Sequence, residues 1–236
     1  MARPVRPGRA DEIVYDGRRW RLLAALRELA EALMKAVAGL GAEPIVHGSV
    51  ARGDVNKGSD VDIFLPEPLP PYRVELALER AGFKFWKREL VMATPWQLPK
   101  AHIYVDERCS VTLPLIRPRA LELGFYRFGG ALNLEGVKSG RRVPGVDKRL
   151  VLIEPTARGH RESSVIGREA EVARIVGVDL DVVRERVHVL GRRAEIGRTG
   201  LFIRRELSPD ESFEEVFRAE VLTNPAARVR LKGYEP

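Results

Sequence analysis

The run His47-Gly48-Ser49-Val50-Ala51-Arg52-Gly53-Asp54, followed by Gly58-Ser59-Asp60-Val61-Asp62-Ile63, constrains this chain more than any other feature. Pro44 to His47 reads as a short strand that ends at a glycine. Gly48 lets the backbone approach a phosphate, Ser49 adds a hydroxyl, and the first amides of a short helix behind it point at the same anion. Asp60 to Leu65 reads as a second strand with acidic and apolar residues in alternation. Residues two apart on a strand face the same way, so Asp60 and Asp62 present carboxylates to one spot while Val61 and Ile63 enter the core. Hard oxygen ligands beside a triphosphate suit Mg²⁺, with Mn²⁺ as a substitute. A pair of such ions lowers the pKa of an attacking hydroxyl and stabilises a departing pyrophosphate. The bland alternative is a glycine turn followed by a strand edge made soluble by two aspartates; the order Gly-Ser, Ala-Arg-Gly, Asp-Val-Asp-Ile weighs against it.

The flanks supply a framework for this loop. Leu22, Leu23, Leu26, Leu29, Leu33, Met34 and Val37 recur at helical spacing, which predicts a helix from Asp16, its N-cap, to about Leu40. Residues 1–15, rich in Pro and Arg, read as an irregular arm. A helix over 72–80 and strands over 83–93, 101–105 and 110–116 follow, with Asp106-Glu107-Arg108 as a hairpin turn. Residues 125–130 and 143–145 suggest strands and turns, and 150–155 a strand. His160 reads as a helix-start residue rather than a catalytic base.

The segment 47–64 resembles the signature of the polymerase-beta-like nucleotidyltransferase superfamily: Gly-Ser, a short spacer, then Asp-hydrophobic-Asp-hydrophobic. CCA-adding enzymes, poly(A) polymerases and the minimal nucleotidyltransferases of prokaryotes share it, and the order of flanking elements extends the likeness loosely over 16–116. The resemblance implies that Gly48 and Ser49 contact the nucleotide triphosphate, that Asp60 and Asp62 bind metal, and that Arg52, in the Gly-Ser-x-Ala-Arg-Gly variant, faces the phosphates. It also implies a third carboxylate on a later strand. There the chain departs from the pattern, because Thr112 stands where that acid is expected. Asp106 in the preceding turn is the nearest substitute, with Glu107 and Glu89 behind it. The expectation is that Asp106 folds back toward the acidic pair as the third catalytic acid.

Beyond residue 155 the character changes. Residues 168–176 and 180–190 read as two helices joined by a Gly-Val-Asp turn, and 192–205 as a basic hairpin. This resembles a winged helix, with Arg184, Arg186, Arg192, Arg193 and Arg198 turned toward a nucleic-acid backbone; a docking or dimerisation module is the alternative. The expected architecture is therefore an α/β (α+β) fold. A small mixed sheet flanked by helices forms a catalytic domain over 1–155, and a small winged-helix-like domain covers 156–236.

Composition bounds the rest. In 236 residues, hydrophobic residues make up 44% and charged ones 31%, as in a globular chain. The net charge of +7 favours polyanionic partners, and its clustering in 138–149 and 184–205 favours a phosphate-contacting face. A single cysteine, Cys109, excludes an internal disulfide and a cysteine zinc cluster. No apolar run approaches the ~20 residues of a membrane span, and no apolar stretch follows the basic N-terminus, so the expectation is a cytoplasmic protein without a signal peptide. The function expected is nucleotidyl transfer from an NTP to an acceptor hydroxyl, with RNA favoured over DNA and a protein acceptor as a further option. The competing expectation is a non-catalytic nucleic-acid-binding regulator that keeps the fold.

Overall fold

The computed structural model describes residues 11–197 and 200–231. In chain order the strands and helices are β1 (Asp11–Val14), α1 (Gly17–Val37), β2 (Ile45–His47), α2 (Ser49–Arg52), β3 (Val61–Phe64), α3 (Pro71–Arg80), β4 (Lys87–Met92), β5 (Lys100–Tyr104), β6 (Cys109–Pro114), α4 (Ala120–Phe128), β7 (Ala131–Asn133), α5 (Leu134–Lys138), β8 (Gly145–Val146), β9 (Val151–Thr156), β10 (Gly159–Ser164), α6 (Glu169–Val176), α7 (Leu180–Ile196), β11 (Ile203–Glu206) and α8 (Phe213–Phe217). This is a mixed α/β protein with two sheets. Among the described residues no helix is long and apolar enough to cross a membrane.

The chain gathers into two compact units. Among the described residues one holds 11–31, 46–61 and 123–197; the other holds 32–45, 62–122 and 200–231. In the first, four antiparallel strands lie in the order β1-β10-β9-β8. β1 occupies the edge against β10 because Gly159 has no side chain: a Cβ there would sit 1.9 Å from the Ile13 carbonyl oxygen. His160 therefore lies in a strand rather than at a helix start, bonded to the Tyr15 hydroxyl at 2.6 Å. The predicted helix pair is present as α6 and α7. Val172, Ala173, Val182 and Val183 pack with Phe128, Val146, Leu150, Leu152 and Val165 into one core. Each such side chain stabilises by about 1.5–3 kcal/mol relative to exposure, so these helices are part of this unit's core.

In the second unit the strands run β11-β4-β5-β6-β3. Alternation sorts their side chains into two faces. Ile63, Leu90, Met92, Ala101, Ile103, Val111 and Leu113 are fully buried on the apolar side. α8 packs on β4 and on α3, and brings buried Phe213, Val216 and Phe217. A capping box, Ser212 with Glu215, starts α8. The other face is polar and carries Asp62.

β11 corrects the expected wing. Arg192 and Arg193 belong to α7, which continues to Ile196, and Ile203–Glu206 pairs with β4 at the register Arg204↔Val91. Free main-chain groups on the β4 edge take this segment as a strand, and among the described residues of 192–205 no basic hairpin is present. The region 120–128 is likewise helical rather than strand and turn.

Candidate functional site

Gly48 is held by its backbone. Its φ of 79° and ψ of −144° lie in a region that residues with a Cβ enter only with strain. Its amide donates to the Gly130 carbonyl at 2.9 Å, and a Cβ there would meet nothing within 4 Å. The glycine thus answers to conformation, and space is left open beside it. Ser49 begins α2, and its hydroxyl donates to the Ser59 hydroxyl at 3.1 Å, so the loop is tied back to the segment that leads into the acidic pair. Arg27 fastens the turn from inside. Its buried guanidinium donates to the Val50 carbonyl at 3.2 and 3.1 Å and to that of Ala51 at 3.2 Å. Burial first, then the nearby Arg142 charge, lowers its pKa to about 10.

Arg52 corrects the expectation that it faces phosphates. Only 5% of its surface is exposed. Nε and Nη2 each reach an Asp54 carboxylate oxygen at 2.9 Å, and Nη1 donates to the Gly129 carbonyl at 2.6 Å. The guanidinium is used within the fold and ties the loop to the chain 77 residues on. Arg142 is used likewise, stacked over the Trp20 ring at 4.8 Å and bonded to the carbonyls of Gly159 and Thr156.

Asp60 is exposed just ahead of β3, and Asp62 is half-buried within it. On the polar face Ser110 of β6 donates its hydroxyl to Asp62 Oδ1 at 2.8 Å. Thr112, two residues along the same face, shares a 2.8 Å hydrogen bond with His102 Nδ1, its register partner on β5. Burial, and then the charges of Lys100 and Lys87, push the His102 pKa down to about 3, so the ring is neutral. Glu89 lies in the next position of that row, opposite His102. It is buried, and its Oε1 takes Lys87 Nζ at 2.9 Å and Arg204 Nε at 2.7 Å. Burial raises the Tyr104 pKa, and the Glu89 and Asp62 charges add to that rise.

The expectation that Asp106 folds back as the third acid is corrected. Its Oδ1 accepts the Arg108 amide at 2.6 Å, which commits the carboxylate to its own exposed turn. Asp60 and Asp62 are oxygen donors of the kind a magnesium ion takes alongside nucleotide phosphates. Among the described residues no cluster of three or more His, Cys, Asp or Glu forms a metal-binding set. Ser110 and His102 were not singled out as site residues. Their signal in the sequence is the polar alternation Ser110–Thr112 within an otherwise apolar strand, and a histidine at the matching place in the strand before it.

The predicted nucleic-acid residues divide. Arg184, Arg192 and Arg193 are exposed on α7, Arg184 within 3.7 Å of Asp181. Arg186 is buried, with its guanidinium 5.0 Å from the Phe125 ring centre, and does not face outward. Arg198 lies outside the described residues.

Residues 26–113 match the family model of the nucleotidyltransferase domain. Comparison with curated proteins gives no match. Among solved structures, the Cid1 poly(U) polymerase with MgGTP bound is 15% identical, with a TM-score of 0.31, over 48% of this chain and 36% of that one. The GLD-2/RNP-8 complex is 16% identical, with a TM-score of 0.28, over 49% of this chain and 46% of that one. The chain spans less than half the length of either.

Proposed function

We infer that this chain, whose residues 26–113 match the family model of the nucleotidyltransferase domain, transfers a nucleoside monophosphate from an NTP to an acceptor hydroxyl on RNA. The observation that carries the reading is the place of the motif within the matched domain: a positive-φ glycine loop at Gly48–Ser49, then Asp62 oriented by a hydrogen bond on the polar face of a sheet. The acceptor oxygen attacks the α-phosphorus, the bond from that phosphorus to the β-phosphate bridging oxygen breaks, and pyrophosphate leaves. Gly48 and Ser49 would cradle the triphosphate with backbone and hydroxyl. Asp60 and Asp62, two apart on an extended segment, would hold the divalent cation, Mg²⁺ or Mn²⁺. When bound, the cation neutralises charge on the transferred group and the leaving pyrophosphate. The exposed arginines of α7 and the net charge of +7 support a polyanionic acceptor.

The test is incubation of the pure protein with each labelled NTP, Mg²⁺ or Mn²⁺, and total RNA. Label should enter RNA. Asp62→Ala should abolish transfer, and so should Asp62→Asn, which keeps an acceptor for the buried Ser110 hydroxyl and should leave the circular dichroism and melting temperature close to wild type. Undiminished turnover in a pure Asp62→Ala sample would sink the reading, and label in protein instead of RNA would reassign the acceptor.

A further inference from the structure

We propose that Ser110 is a positioning residue that takes the place of a third acid beside Asp62, so that the protein itself holds one divalent cation rather than two. The proposal rests on the metal-binding reading of Asp62 given above. It starts from the 2.8 Å bond in which the Ser110 hydroxyl donates to Asp62 Oδ1. That bond fixes the carboxylate rotamer and engages Oδ1. Oδ2 has no hydrogen-bond partner among the described residues and is the oxygen left for a cation.

Among the described residues no third His, Cys, Asp or Glu joins Asp60 and Asp62 in a metal-binding set. The Thr112 hydroxyl is bonded to His102. Asp106 is bonded to the Arg108 amide. Glu89 is neutralised by Lys87 and Arg204 and is separated from β6 by the whole of β5. Ser110 itself is only 3% exposed, on a strand buried throughout. A neutral hydroxyl in the place of an acid brings no charge with which to hold a second cation beside the first. Two ions spaced as in two-metal sites, about 3.5–4 Å apart, need a carboxylate between or beside them to offset their repulsion. The donor set on this face therefore matches one ion, completed by water and by the phosphates of the nucleotide.

The test counts Mn²⁺ ions on the full chain without nucleotide, following free Mn²⁺ by electron paramagnetic resonance. Wild type should bind one ion. Ser110→Ala, which removes only the hydroxyl, should bind that ion at least several-fold more weakly, and Ser110→Thr, which restores a hydroxyl, should recover the affinity. Ser110→Asp should bind two ions. Circular dichroism and melting temperature establish that each variant is folded. Equal affinity in wild type and folded Ser110→Ala overturns the positioning role. Two ions in wild type, or no gain in folded Ser110→Asp, overturns the single-ion site. Wild-type binding no stronger than that of Asp62→Ala would instead remove Asp62 from the metal site, which is a failure of the underlying reading and not of Ser110.

Discussion

Arg52 illustrates how a charged residue in a binding loop can serve the loop and not the ligand. Its guanidinium meets Asp54 through two bonds at side-chain exposures of 6% and 11%. Removing one partner of such a pair strands the other charge in a poorly hydrated place, at a cost of about 3–5 kcal/mol. Arg52→Ala should therefore lower the denaturation midpoint sharply, while KM for the NTP in the surviving folded protein stays within about twofold, well below the tenfold that 1.4 kcal/mol of lost binding would give. A large rise in KM at unchanged stability would return Arg52 to the phosphates. The Arg52–Asp54 spacing is open to anyone reading the sequence; the Gly129 carbonyl that fixes the third donor is not, because only the fold brings it there. The same limit hid Ser110, whose partner Asp62 lies 48 residues away.

Strands β5 and β6 tie that local geometry to stability. His102, with a pKa near 3, refuses a proton in the folded state that the unfolded chain accepts below its ordinary value of 6.5. Its stabilising effect is complete above pH 6.5 and is lost as pH falls from there toward 3. His160 is lowered too, chiefly by burial, and acts in the same direction. Urea unfolding should thus show stability falling from pH 6.5 to 5. His102→Gln, which keeps a group able to bond Thr112, should flatten that fall by up to about 1.4 kcal/mol per pH unit, the contribution of one proton; an unchanged slope would mean that His102 is protonated in the folded protein. At this scale the sequence is readable where periodicity is strong. α1, α3, β5, β6, α6 and α7 are predicted from their apolar spacing and are present. β1 and β10 carry no such spacing and exist because each pairs with a distant partner. α4 holds Phe125, Tyr126 and Phe128, residues with a preference for strands, and tertiary packing overrides it: Tyr126 and Phe128 are buried on the helix.

Across the whole molecule, charge is the property that sequence reports most directly and places least well. The total of +7 is arithmetic, yet of the basic residues in α7, Arg186 is turned inward over an aromatic ring, while Arg184, Arg192 and Arg193 are exposed. No sequence feature announces that segments 11–31, 46–61 and 123–197 gather into one unit, since that grouping rests on β1 crossing to β10 and on the α6–α7 pair packing over β8 and β9. It follows that α6 and α7 should be tested in the full chain, where their core is complete. If α7 contacts an RNA backbone, log K should fall linearly with log salt, because each phosphate neutralised releases condensed counterions. Arg192→Glu with Arg193→Glu should weaken binding to a single-stranded RNA and reduce the magnitude of that slope by about 1.4, or ~0.7 for each lost phosphate contact. Arg186→Gln should act differently: with no phosphate contact to lose, it should leave the slope unchanged while lowering the melting temperature through its lost packing on Phe125. A slope untouched by the double charge reversal would remove α7 from the acceptor surface and leave the helix pair as the core element that its buried valines already make it.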